Sequence, residues 1–291
     1  MNAYTLPAAT HIAYAHLRVA DRERALAFYR DTLGLRVIST GGSSTALSAT
    51  GAQPALVVLE AHPGARPKPP RTTGLYHVAI RLPDRPALAR TLRRLVEREW
   101  PLQGAADHGV SEALYLGDPD GNGLELYTDR PRDEWPWQDG QVAMVSEPLD
   151  VRALLSLARE SPEAIDPRTD IGHIHLQVSD LARAEAFYCA LLGFEVTQRT
   201  YPGALFVAAG GYHHHLGLNI WAGHGAPSPP PDAVGLVAFG VRLPDAAVWQ
   251  ALVARLEGAG ATLDAHGDDG GTRRALLRDP DGTGVMLLAP L

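Results

Sequence analysis

The chain of 291 residues is 45% hydrophobic and 20% charged and carries a net charge of −7, the make-up of a globular protein with room for two domains of ordinary size. No apolar run reaches the roughly 20 residues of a membrane-crossing helix, and no basic cluster offers a nucleic-acid footprint. Membrane and nucleic acid are therefore not expected partners. The opening MNAYTLPAATHIAY has neither the basic start nor the apolar core of a signal peptide, and a lone cysteine, Cys189, allows no internal disulfide; both fit a cytoplasmic location.

In chain order, the first unit begins at Ile12 with IAYAHLRVADRERALAFYRDTLGL: a strand, an aspartate, a helix carrying A-F-Y, then a leucine and a glycine. A second strand–turn–helix begins at Gly74 (GLYHVAIRLPDRPALARTLRRL) and closes with GDPDGNGLELY at 117–127. The third, IGHIHLQVSDLARAEAFYCALLGF from Ile171, aligns with the first without a gap. The fourth begins at Gly235 (GLVAFGVRLPDAAVWQALVARL) and ends RDPDGTGVMLL, like the second. Asp21 and Asp180 stand at helix N-caps, Gly34 and Gly193 at C′ positions, and each D-P-D-G is a turn into a final strand.

The chain thus reads as four βαβββ-like modules near 11–60, 74–128, 171–222 and 235–289. Proline- and glycine-rich spacers separate the modules within each half. The halves, 11–128 and 171–289, are joined by a linker of about 129–170 with a short helix expected around DVRALLSLARE. So small a strand-rich unit cannot bury both faces of its sheet, so the modules should pair. The expected class is α+β, with paired modules forming curved, open, barrel-like sheets.

Matched positions in the four modules are informative. In the first strand they hold Tyr14, His77, His173 and Ala238. In the final strand, taken as ALVVL, GLELY, GLNIW and GVMLL, they hold Val57, Glu125, Asn219 and Met286. Modules 2 and 3 carry polar groups where modules 1 and 4 are almost wholly apolar. His77, His173 and Glu125 make two imidazoles and one carboxylate, the set that leaves open positions on a non-haem Fe(II) centre. Asn219 would be a weak fourth donor on the open side. Each of these residues alone is more simply an ordinary strand residue; their coincidence at matched positions argues for a site. Because the two histidines lie in different halves, only pairing of module 2 with 3, and 1 with 4, assembles the set.

The H-x-x-x-x-[VL] first strand, the A-F-Y helix and the D-P-D-G-N-G-L-E ending resemble the vicinal oxygen chelate superfamily. Four modules in one chain resemble its type I extradiol ring-cleaving dioxygenases. That resemblance implies Fe(II), or Mn(II) with the same donors, on His77, His173 and Glu125. It implies a small aromatic diol and O₂ as substrates, Tyr115 (ten residues before Glu125) on the substrate oxygen, and His108 in DHGVS as a substrate-binding group. By position it makes His214 the acid–base residue of the run His213–His214–His215. Asn219, on the open side of the set, is assigned to substrate binding by its position alone. If the run lies in a strand, His214 points away from His213 and His215, which are then structural or pocket-lining. His16 and His175 lie two residues along the first strand, on the ligand face, but rank below His173 and His77 as ligands because His16 falls in a module with no other ligand. His11, His62, His224 and His266 belong to loops or strand ends, and Cys189 is a small apolar helix residue. Trp221, Phe206 and Tyr212 are able to line an aromatic pocket, although aromatics in such strands are more often core. A glyoxalase-like isomerase or thiol transferase and a metal-free resistance-type binding protein are the competing readings. Self-association is left open.

Overall fold

The computed structural model describes residues 4–291, with nothing described for the side chains of 265, 266 and 269; the His266 side chain thus lies outside the described set. Module 1 contains β1 (His11–Val19), β2 (Arg36–Gly41), β3 (Ser44–Ser48) and β4 (Val57–Ala61). Module 2 contains β5 (Gly74–Arg81), β6 (Gly104–Asp107), β7 (Ser111–Gly117) and β8 (Gly123–Asp129). Module 3 supplies β9 (Asp170–Gln177), β10 (Glu195–Gln198), β11 (Ala204–Ala208) and β12 (Leu216–Asn219). Module 4 supplies β13 (Gly235–Arg242), β14 (Ala265–Asp269), β15 (Thr272–Arg278) and β16 (Gly284–Pro290).

Each module's first strand is followed by a helix whose N-cap is an aspartate. The carboxylates of Asp21, Asp84, Asp180 and Asp245 accept from the amides of Arg24, Ala87, Arg183 and Val248 at 2.8–2.9 Å. In modules 2 and 4 the helices run 13 residues, Arg85–Glu97 and Ala246–Gly258. In modules 1 and 3 the A-F-Y segment is instead a π-turn, Ala27–Thr32 and Ala186–Leu191, closed by bonds from Leu33 to Phe28 and from Leu192 to Phe187. Gly34 and Gly193 end these turns with φ of +84° and +95°, a conformation costly to any residue with a Cβ.

The strands form two curled, open sheets. One runs β14-β15-β16-β13-β1-β4-β3-β2; the other runs β6-β7-β8-β5-β9-β12-β11-β10, with a two-residue strand, Glu147–Pro148, added beside β6. Modules 1 and 4 therefore share one sheet and modules 2 and 3 the other, each through antiparallel first strands, β1 with β13 and β5 with β9. Most buried apolar side chains of both sheets and all the modules' helices belong to one continuous core.

Two hydrogen bonds of one design tie the sheets together. The A-F-Y tyrosine of module 1, Tyr29, donates to Asp118 in the D-P-D-G turn of module 2 at 3.0 Å, and Tyr188 of module 3 donates to Asp279 of module 4 at 2.8 Å. The linker forms the expected short helix at Val151–Ser156, packed on the helix of module 2. Before that helix it lies over the mouth of the second sheet, where Trp135, Val142 and Met144 pack with Val110, Ala204 and Phe206.

Candidate metal centre

Strand register decides which side chains meet. β5 and β9 run antiparallel with His77 opposite His175 and Ala79 opposite His173, while parallel pairing of β5 with β8 sets Ala79 beside Glu125. The small Ala79 leaves room for Glu125 and His173 to reach over it. His77 Nε2 lies 2.9 Å and His173 Nε2 3.0 Å from Glu125 Oε2, and the two nitrogens are 3.3 Å apart. All three residues are buried, at 5%, 2% and 2% exposure. Among the described residues this is the group of histidine, cysteine and acid side chains able to share one ion.

The triangle fits a cation. With bonds near 2.1 Å, three mutually perpendicular donors stand about 3.0 Å apart, close to these separations. Without a cation, two Nε2 atoms at 3.3 Å cannot both point an N–H at the other. Burial holds the His173 imidazole down to about 4, against the pull of Glu125. Burial would raise the Glu125 carboxyl, yet His173 and His77, by charge and hydrogen bond, hold it well below the usual carboxylate range. Neutral imidazole and ionised carboxylate are the forms a metal requires.

Two hydrogen-bonded relays flank the triangle. On one side the Tyr115 hydroxyl meets His108 Nε2 at 2.6 Å, and His108 Nδ1 meets the carbonyl of Val145, in the linker, at 2.6 Å. The carbonyl accepts only, so Nδ1 carries the hydrogen and Nε2 accepts from Tyr115. Burial, and then Glu125, push the Tyr115 hydroxyl well above its ordinary value, so it stays a phenol.

On the other side the His214 ring lies 4.0 Å from that of His173, centroid to centroid. His214 Nδ1 is 2.8 Å from His213 Nδ1, and His213 Nε2 is 2.9 Å from Asp129 Oδ1. The Asp129 carboxylate also takes the Tyr212 hydroxyl and Arg81. Burial works against its ionisation, but the hydrogen bond and charge of His213 hold its pKa below the ordinary carboxylate value. Asp129 accepts, so His213 carries its hydrogen on Nε2 and accepts on Nδ1; His214 therefore carries its hydrogen on Nδ1. Burial holds His214 well below its ordinary pKa, which leaves Nε2 as a bare lone pair.

A cavity of about 200 Å³ opens over the triangle, lined by Tyr115, His108 and His214 beside the three convergent groups. The structure thus brings together six of the seven candidate residues. The seventh, Asn219, is fully buried and lies off the cavity; its Oδ1 accepts from the Trp221 amide. Register explains why. Glu125 pairs with the residue two after His77, and the residue two after His173, His175, pairs with Gly217. The true counterpart of Glu125 is therefore Gly217, and in module 1 it is Val58, opposite His16, rather than Val57; Met286 is correctly matched to Gly240. A Cβ at Gly217 would lie 2.8 Å from the His175 ring, so that ring occupies the space a fourth ligand would need.

The histidine run also departs from expectation. It lies in a turn, with β12 starting only at Leu216, so face alternation does not apply to it. His213 turns to Asp129, His214 to the cavity, and His215 Nδ1 accepts from the Ala209 amide. His16 sits in the other sheet against Glu60. His224 is an exposed partner of Asp180. Phe206 and Trp221 line the cavity, and Tyr212 supports Asp129. Burial pushes the half-buried Cys189 thiol up to about 12, which makes it a poor nucleophile. Sequence reasoning missed Asp129, although its counterpart at the end of β16 is Pro290, and missed Val145, for which the sequence carries no signal.

The comparisons with known proteins agree with this architecture. A catechol-2,3-dioxygenase of Bacillus subtilis (strain 168) is 46% identical over 260 residues, 88% of this chain and 90% of that protein. A solved structure from Bacillus subtilis subsp. subtilis str. 168 matches with a TM-score of 0.67 at 12% identity, covering 98% of this chain and 86% of that one. Glyoxalase I from Zea mays matches with a TM-score of 0.58 at 18% identity over 97% and 92%. At such identities the likeness to the solved structures is one of fold. The model of the Glyoxalase/Bleomycin resistance protein/Dioxygenase superfamily matches residues 10–126 and 170–287, and the chain belongs to that superfamily.

Proposed function

We propose that the protein is an extradiol dioxygenase that cleaves a catechol beside its two hydroxyls, with Fe(II) held by His77, His173 and Glu125. The observation that carries the proposal is the convergence of His77 Nε2, His173 Nε2 and Glu125 Oε2 within 3.3 Å beneath a cavity flanked by a proton acceptor. The 46% identity to a catechol-2,3-dioxygenase supports the same reaction. Fe(II), or Mn(II) with the same donors, would supply Lewis acidity toward the diol and electrons toward O₂.

The chain's own groups manage binding and protons. His214 Nε2, the bare lone pair facing the cavity, takes a proton from a substrate hydroxyl and later returns one to the product side. His213 passes its hydrogen bond to Asp129, so the positive charge gained by His214 is shared with a carboxylate rather than left in apolar surroundings. Tyr115 gives its hydrogen to His108, which leaves its oxygen free to accept from the second hydroxyl and fixes the ring's orientation. The linker, by presenting Val145 to His108, holds that pair in one tautomer.

The isomerase reading is disfavoured because the fourth donor position is Gly217. The metal-free reading is disfavoured because a buried carboxylate facing two buried imidazoles is a costly arrangement without a cation. The test is anaerobic loading with Fe(II) followed by catechol and air. A yellow ring-fission product with uptake of one O₂ per catechol is expected; tight metal binding with no product would refute the assignment.

A further inference from the structure

The cavity over the triangle is small and uncharged apart from the triangle itself. Its volume is about 200 Å³, below the roughly 300–1,000 Å³ of common ligand sites. No lysine or arginine lines it among the described residues, and its one acid is Glu125. The basic side chains of neighbouring segments are committed elsewhere. Arg130 pairs with Asp107 and Glu112, Arg81 with Asp170 and Asp129, and Arg199 with Glu185. Arg132 donates to the carbonyls of Gly210 and Gly211. Both ring nitrogens of His108 are already engaged, Nε2 with the Tyr115 hydroxyl and Nδ1 with the Val145 carbonyl.

The outer wall is apolar and aromatic. Tyr76 and Trp221 meet edge to face at 5.2 Å, and Tyr201 joins both Trp221 and Phe206. Among the described residues, Tyr76, Trp221 and Val145 are three of the few large apolar side chains more than 40% exposed, and all three stand at this mouth. A cluster of exposed apolar groups at a cavity entrance costs solubility and fits an apolar ligand. A carboxylate brought to the same place would lose its water and find no cation or donor array in return.

We propose that this site selects catechols that are uncharged, with a hydrogen or a short apolar ring substituent lying against Tyr76 and Trp221, and that it rejects catechols bearing a carboxylate. The inference rests on the ring-cleaving reading above and adds the charge class of the substrate. It assigns Tyr76, Trp221 and Val145 as specificity-determining residues.

The test is steady-state kcat/KM of the Fe(II)-loaded protein on a matched pair, 3,4-dihydroxyphenylacetate and its methyl ester, alongside catechol and 4-methylcatechol. The methylene group insulates the ring from the carboxyl, so acid and ester present the same ring electronics at nearly the same size. The ester should exceed the acid by at least about 100-fold, mostly in KM, with catechol and 4-methylcatechol in the ester's range. Trp221→Arg, which puts a cation at the mouth, should narrow the ratio at least tenfold, about 1.4 kcal/mol of discrimination. An acid-to-ester ratio within about fivefold in the unsubstituted protein would overturn the inference while leaving ring cleavage intact. Cleavage of none of the four would overturn the ring-cleaving reading, and this inference with it.

Discussion

Replacing Tyr188 with phenylalanine removes one hydroxyl and leaves the ring in place. That hydroxyl donates at 2.8 Å to Asp279, which is 5% exposed and also accepts from the amides of Asp281 and Thr283. Burial raises the Asp279 carboxyl to about 6, and the Tyr188 hydrogen bond works against that rise. A bond to a buried charged group contributes about 1.5–3 kcal/mol, which for a protein of this size corresponds to a fall in Tm of roughly 3–8 °C. The pH dependence carries the diagnosis. A folded-state pKa above the unfolded one means that wild-type stability declines as pH rises from about 4 through about 6, and is level above. Without Tyr188 the carboxyl shifts higher still, so the loss in the variant should be small at pH 5, where Asp279 is protonated, and complete at pH 8. Urea unfolding at the two pH values measures both. Equal losses at pH 5 and 8 would mean that packing, not the hydrogen bond, is at stake; a loss below about 0.5 kcal/mol at pH 8 would refute the reasoning. Tyr29→Phe removes the twin bond to Asp118, whose carboxyl burial also raises. The two bonds share no partner, so the double variant should show the sum of the single losses.

Other outcomes follow from the site. His173→Ala or Glu125→Gln should lower bound iron from near one per chain to below about a tenth while far-ultraviolet circular dichroism is retained, since each removes one of three donors; full retention of metal would refute the ligand set. Asp129→Asn should leave metal content intact and reduce kcat by roughly 10²–10⁴ with KM changed little, because His213 then loses the partner that fixes the His214 tautomer; a kcat change below about threefold would show the relay to be structural. Tyr115→Phe should raise KM for catechol about tenfold or more, read by steady-state assay, with iron retained; unchanged KM would remove Tyr115 from substrate binding.

The sequence made the first strands legible because in each the matched position stands 7 residues before an N-cap aspartate, which pins the alignment of His77 with His173. The final strands of modules 2 and 4 are pinned the same way by D-P-D-G. Module 3 enters its final strand through G-G-Y-H-H-H instead, so nothing fixed the offset. A shift of two residues along a strand keeps every side chain on its own face, so GLNIW fits the pattern as well as HLGLN, and the sequence alone puts Asn219 where the strand register puts Gly217. Asp129 and Val145 act through the tertiary placement of a strand end and a linker, and neither motif nor periodicity marks such a partner. Cross-pairing of the modules, by contrast, was readable from chemistry, because no other pairing places two imidazoles and a carboxylate together.

That cross-pairing also orders events in time. β5 and β9 meet across roughly 100 residues, and β1 waits for β13 across roughly 220. At about 5–20 residues per second of synthesis, β1 spends roughly 10–40 s as an open edge after it is made. The ligand-bearing sheet can close as soon as β12 is made, while the sheet without ligands can close only when module 4 is finished. A nascent or truncated chain can therefore gain its metal-binding half before it gains a partner for β1. In these chains metal retention would report the early sheet, and aggregation through the nine-residue β1 edge the late one.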